Sequence, residues 1–318
     1  MSASTNEKKN RSWLDYLGIT ARGFCMGAAD VIPGVSGGTI ALLMGIYNEL
    51  VDAINAADAS FIRNLITLRW KAAFADFPWK FLVALVIGIA TAILTLAQLL
   101  RWALNHHPVV IWSFFFGLVF ASVVVVMMRA GKISVKMGVT FLVAAAGAYV
   151  LVGLRPGQTP ETAWFLFISG AVAICAMIMP GISGAFILVL LGKYEYALNA
   201  VVQGDILTIA ILGAGAVVGL LSFARLLKWL LRRYYAITIS VLAGFMLGSL
   251  RVLWPWKGPD ADVEYGVPGN VIPVEFTTET AEAIFLMVIA FVLVVSLEYL
   301  SSKRLAGTQV AVQEKQTH

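Results

Sequence analysis

Pro33-Gly34-Val35-Ser36-Gly37-Gly38-Thr39-Ile40 and Pro180-Gly181-Ile182-Ser183-Gly184-Ala185-Phe186-Ile187 stand 147 residues apart and share the pattern Pro-Gly-x-Ser-Gly. Extended to Ile54 against Val201, the two stretches agree at nine of 22 positions, Gly45/Gly192 and Tyr47/Tyr194 among them. Apolar runs resemble one another by chance, but a repeated Pro-Gly-x-Ser-Gly followed by Gly-x-Tyr is far harder to obtain that way. The pattern marks a tandem duplication. The expected boundaries are a first repeat over 1–155 with a tail at 1–11, a second repeat over 156–302, and a C-terminal tail at 303–318.

Composition sets the solvent in which those repeats fold. Of 318 residues, 60% are apolar and 13% charged, and mean hydropathy is +0.86. A soluble domain carries about 25% charge, so half the side chains needed for a water-facing surface are missing. Soluble-enzyme classes are therefore poor readings. The net charge of +5 does not point to nucleic acid, because the basic residues stand at the ends of apolar runs, where membrane proteins keep them. Cys25 and Cys175 lie in separate apolar stretches and suggest neither a metal site nor a disulfide framework. No cofactor or metal is expected. No signal peptide with a small-residue cleavage site is expected after the polar start.

A bilayer core needs about 20 helical residues. Six runs meet that almost without charge: Phe81–Leu100, Pro108–Met128, Met137–Leu154, Ile206–Ala224, Tyr234–Leu250 and Ala283–Ser302. Trp13–Ile54 and Thr162–Gly192 differ, because proline removes a backbone donor and clashes with the preceding turn. Those two segments should break at Pro33-Gly34 and Pro180-Gly181. Each half then holds one broken or re-entrant helix pair and three transmembrane helices, an odd number of crossings, so the second half is inverted. The predicted fold is an all-α polytopic membrane protein with an inverted-topology repeat. Cytoplasmic loops hold the excess of Lys and Arg. With both termini cytoplasmic, 17 of these residues fall inside and five outside (Arg101, Arg155, Lys193, Arg251 and Lys257), with Arg22 left within the first broken segment.

Irregular backbone at membrane depth is tolerated only where protein or a wet cavity covers it, and breaks in two corresponding segments point to a transporter's binding site. Ser36 and Ser183 stand where an N-cap would. The helices restarting near Gly37 and Gly184 would direct N–H groups inward, an arrangement that suits phosphate. Pro-kinked, Gly-packed helix contacts are the alternative account of the same breaks. Arg22 and Asp30 are charges at membrane depth, which are usually paired or functional. They are either a mutual ion pair or, respectively, a phosphate ligand and a proton carrier. They face Ser169 and Met177 at the 147-residue offset, so the duplication does not copy them.

Two other classes fit parts of the pattern. Gly34-Val35-Ser36-Gly37 is a Gly-x-Ser-Gly string, as around the serine of an intramembrane hydrolase. Such a serine needs a base within hydrogen-bond reach, whereas the histidines are His106, His107 and His318, at a span end and in a tail. An enzyme is not expected. An ion or anion channel, with the two breaks lining a pore, is the other alternative.

Gly27-Ala28-Ala29-Asp30-Val31-Ile32-Pro33-Gly34-Val35-Ser36-Gly37-Gly38-Thr39, followed by Gly45-Ile46-Tyr47, resembles the bacterial and archaeal polyprenyl-phosphate transporter (PopT) family. Met179-Pro180-Gly181-Ile182-Ser183-Gly184 is similar to that family's second signature, and the resemblance spans about residues 12–302. It implies a flippase in the cytoplasmic membrane that returns undecaprenyl phosphate from the outer to the inner leaflet for cell-wall synthesis, coupled to a proton or sodium ion. By position, the implied phosphate-binding residues are Arg22, Ser36, Gly37, Gly38, Thr39, Ser183 and Gly184. Asp30 is the coupling candidate, and Pro33, Gly34, Pro180 and Gly181 are the helix breaks. Ala185 departs from the serine usual in the second signature, leaving no hydroxyl there for phosphate. Membrane lipid is the remaining expected partner; no nucleic acid is expected.

Overall fold

A computed structural model describes residues 11–30, 36–75, 77–157, 159–258, 269–273 and 275–316. Pro33 and Gly34, most of the 1–11 tail and the acidic stretch 259–268 lie outside the described residues. The chain is a set of helices in the order α1 (Trp13–Asp30), α2 (Gly37–Leu43), α3 (Tyr47–Asn55), α4 (Ala59–Ile66), α5 (Trp70–Ala75), α6 (Trp79–His106) and α7 (Pro108–Arg129). The series continues with α8 (Val135–Leu151), α9 (Ala163–Ile178), α10 (Gly184–Leu190), α11 (Tyr194–Gln203), α12 (Ile206–Arg233), α13 (Tyr235–Leu253) and α14 (Thr278–Gln316). Helices α6, α7, α12, α13 and α14 each hold a segment long and apolar enough to cross a bilayer. Helix α8 is apolar but only 17 residues long, about 25 Å at 1.5 Å per residue. The stretch 303–316 prolongs α14 rather than leaving it.

The second broken segment is interrupted twice. Helix α9 stops at Ile178, Gly181 reverses the chain in the left-handed region at φ +92°, and α10 restarts after Ser183. Gly192, at φ +62°, then turns the chain into α11, bent 104° from α10. The first half repeats the second turn at Gly45, φ +73°. Both glycines supply a backbone conformation that side chains disfavour, which accounts for the shared Gly-x-Tyr.

Neither segment crosses the molecule. Arg11, just before α1, pairs with Glu49 of α3 at 2.6 Å. Lys193, just before α11, donates to the Thr159 carbonyl at 3.0 Å, and Gly157 N–H donates to the Leu190 carbonyl at 3.1 Å. Each hairpin therefore returns to the end from which it entered. Their depth follows from the long helices beside them. A Cβ at Gly27 would press on Ile89 and Ala92 of α6, and Cys175 Sγ lies 3.5 Å from the Gly219 carbonyl of α12. Ala92 and Gly219 each hold the fourteenth place in a 28-residue helix. Both hairpin tips stand at mid-height.

The halves share packing as well as sequence, with a change of offset. Helices α6 and α12 correspond at 127 residues rather than 147, because α4 and α5 have no counterpart in the second half. Gly23 meets the Leu85 carbonyl as Gly170 meets that of Leu212, and Gly88 meets the Thr20 carbonyl as Gly215 meets that of Phe167. At these points small residues let helix backbones touch.

Corresponding helices run in opposite directions. Trp254, just past α13, packs on Phe116 in the first half of α7, whereas Tyr235 and Ile239 at the start of α13 share a small hollow with Val126 and Arg129 at the end of α7. Helix α8 lies along α13 in the same sense, Gly244 against Phe141 and Gly248 against Ala145. Helix α14 lies likewise along α7, from Gly117 against Met287 to the Arg129–Glu298 ion pair.

Candidate functional site at the hairpin tips

The tips of the two hairpins meet. Helix α2 starts against the last turn of α9. Ser36 Oγ lies 3.4 Å from both the Met177 and Met179 carbonyls, to which it donates, and Tyr47 donates its hydroxyl to the Ile178 carbonyl at 3.0 Å. In return, the Gly181 N–H donates to Thr39 Oγ1 at 3.0 Å. Proline removes one amide at the turn, and a reversed chain leaves carbonyls without helical partners. The first hairpin's hydroxyls serve those groups of the second. Ser36, Thr39 and Tyr47 are almost wholly buried, so these bonds form away from solvent. A methyl at Gly38 would fall 2.9 Å from the Ile178 carbonyl, which explains the second glycine of Ser-Gly-Gly.

The start of α2 is not bare. Gly37 N–H donates to Asp30 Oδ1 at 2.6 Å, Gly38 N–H to Ser36 Oγ at 3.2 Å, and Thr39 N–H to the Ser36 carbonyl at 2.9 Å. The last residue of α1 thus supplies an internal carboxyl acceptor where the sequence pattern suggested an amide end open to phosphate. The corresponding position in the second half is Met177. No side chain caps α10: Ser183, half-buried, makes no such bond among the described residues. Gly184 is buried against α9, while Ala185 is exposed. The two helix starts therefore differ in the group that caps them: a carboxyl oxygen on α2 and no side chain on α10.

Arg22 lies elsewhere. It sits on an exposed face of α1, one residue before the Gly23–Leu85 contact, with its guanidinium near Gly18. Eight residues separate it from Asp30, about 12 Å of helix, and no ion pair joins the two. The tips gather Asp30, Ser36, Gly37, Gly38 and Thr39 with Pro180, Gly181, Ser183 and Gly184, and leave Arg22 towards the end where α1 begins. Sequence reasoning passed over Tyr47 and the carbonyls of Met177, Ile178 and Met179. The repeated tyrosine of Gly-x-Tyr was the available signal for the first.

Thr39→Val keeps the side-chain shape and removes the acceptor, burying the Gly181 amide without a partner. An orphaned buried donor costs about 1–3 kcal/mol. The expected result is a lower thermal unfolding midpoint in detergent, with Thr39→Ser close to wild type.

A family model described as undecaprenyl phosphate translocase-like matches residues 26–265, from the end of α1 beyond α13. The chain belongs to that family. A polyprenyl-phosphate transporter of Vibrio cholerae serotype O1 is 41% identical over 310 residues, covering 91% of this chain and 98% of that protein. A polyprenyl-phosphate transporter of Staphylococcus aureus is 27% identical over 278 residues, covering 82% of this chain and 89% of that protein. No solved structure matches the chain.

Proposed function

We propose that this membrane protein carries polyprenyl phosphate, specifically undecaprenyl phosphate, from the outer to the inner leaflet of the cytoplasmic membrane and so returns the carrier lipid for reuse. The observation that carries most weight is the meeting of two opposed hairpin tips at mid-height, in a chain whose relatives are named polyprenyl-phosphate transporters. A phosphate head group with about −1.5 to −2 charges cannot cross hydrocarbon unaided, whereas the isoprenoid tail can stay in lipid. The head group needs polar partners only along its own short path, and the tips lie at the middle of such a path.

In this account the repeats 1–155 and 156–302 rock against each other about the tips. Ser183 and Gly184 offer the uncapped end to phosphate. Ser36, Gly37, Gly38 and Thr39 offer theirs once Asp30 releases the Gly37 amide. Protonated Asp30 is a poorer acceptor than the carboxylate, so proton uptake favours phosphate on that amide and phosphate favours proton uptake, as linkage requires. Proton coupling then follows from competition of two anions for one donor. Arg22 receives the head group between the tips and the cytoplasmic end, where α1 begins.

Reconstituted vesicles with labelled undecaprenyl phosphate in one leaflet test the proposal. Wild type is expected to speed leaflet exchange in a saturable way, and a neutral polyprenol is not expected to compete. Arg22→Ala should slow exchange about fivefold, in line with roughly 1 kcal/mol for one phosphate-facing cation. Exchange no faster than in protein-free vesicles would refute the function. Wild-type exchange in Arg22→Ala would remove that residue from the path.

A further inference from the structure

An open cavity of about 420 Å³, away from the hairpin tips, is lined by Asn55, Arg225, Lys228, Trp229, Arg232 and Arg233. Helix α3 builds its wall: Asn55 donates to the Ala224 carbonyl at 2.9 Å, and Asp52 pairs with Lys228 at 2.7 Å. Asp58, at the start of α4, accepts from the Phe61 amide and the Ser60 hydroxyl, and lies within electrostatic reach of Arg225. Four cations thus face two carboxylates, leaving an excess of positive charge around a hollow.

The helix surface leading into that hollow is apolar. Val218, Arg225, Trp229 and Arg232 follow one another at seven, four and three residues, which places them on one stripe of α12. Val218 and Trp229 are about half exposed, at 50% and 54%. An exposed valine belongs against a lipid tail, a tryptophan at the head-group level, and clustered Arg and Lys at lipid phosphate. A free anion would use only the lower part of this surface; an anionic lipid would use all of it.

We propose that the cavity binds the phosphate head group of an anionic membrane lipid, with its tail along the Val218 side of α12, as a site separate from the hairpin tips. It requires no transport activity and does not depend on which lipid is carried. The test uses purified protein in detergent with phosphatidylglycerol as probe and phosphatidylcholine as neutral control, read by native mass spectrometry and by thermal unfolding. Arg232→Gln/Arg233→Gln leaves the Lys228–Asp52 pair in place and removes two charges while keeping polar side chains.

Wild type is expected to retain phosphatidylglycerol over phosphatidylcholine. The double variant should bind it on the order of tenfold more weakly, at about a few-fold per lost charge. Its unfolding midpoint without lipid should be unchanged, and the stabilisation by added phosphatidylglycerol should shrink. Equal retention of phosphatidylglycerol by both proteins would overturn the site. So would full displacement of the lipid from wild type by millimolar inorganic phosphate, which would make the ligand a free anion.

Discussion

Asp30→Asn is expected to lower leaflet exchange of polyprenyl phosphate by on the order of a hundredfold while the protein stays folded and still binds the lipid. The amide keeps an oxygen where Oδ1 now accepts from Gly37, so the cap on α2 survives. What disappears is the ability to gain and lose a proton. Without it the tips stay in the neutral form: the head group no longer moves with a proton, and the empty tips must reset without the charge that recaps α2, a charge at the bilayer centre being worth about 3 kcal/mol. Exchange in reconstituted vesicles, beside lipid binding in detergent, separates the two effects. Wild-type exchange in Asp30→Asn would remove Asp30 from coupling. Loss of lipid binding together with a lower unfolding midpoint would make it a structural cap only.

Gly181→Ala is expected to be the most disruptive single-atom change at the tips. Gly181 has φ +92°, in a region that costs a residue with a side chain roughly 1–2 kcal/mol. Its new methyl would fall 2.8 Å from Met246 Cα and 2.9 Å from Met246 N, backbone atoms of a buried turn of α13 that have nowhere to retreat. Overpacking of that kind adds about 1–3 kcal/mol. The same shift would pull the Gly181 amide from Thr39. The unfolding midpoint should fall by on the order of 10 °C, with exchange lost at temperatures where the protein remains folded. By contrast, a methyl at Gly213 meets nothing within 4 Å, so Gly213→Ala serves as the neutral control.

Much of this architecture was legible in the chain because its strongest signals are local. Apolar length gave the long helices, Pro180 placed the break between α9 and α10, and the shared Pro-Gly-x-Ser-Gly pointed to the duplication. The Lys and Arg bias anticipated the inversion now visible in the opposed directions of α7 and α13. Other features depended on tertiary contacts. The 147-residue offset could not be followed past Ile54, because α4 and α5 shift the register by 20 residues and close-packed helices share glycines rather than long identities. Whether the hairpins crossed or returned was decided by Arg11 against Glu49 and Lys193 against Thr159, pairs no local pattern announces. The bond between Asp30 and Gly37 joins groups seven residues apart. It turns a helix end read as open into one held by the protein's own carboxyl group. Arg22 shows the opposite failure: spacing placed it near Asp30 in sequence, but the side chain faces out and back towards Gly18.

The most direct test of the central claim is a high-resolution structure in lipid nanodiscs loaded with undecaprenyl phosphate. The account predicts phosphate density at mid-height between the tips, against Ser183 and Gly184 and the start of α2, with Asp30 moved off the Gly37 amide. Tips still joined through Thr39 and Gly181, Asp30 in place, and phosphate only on the outer surface of the helices would contradict it.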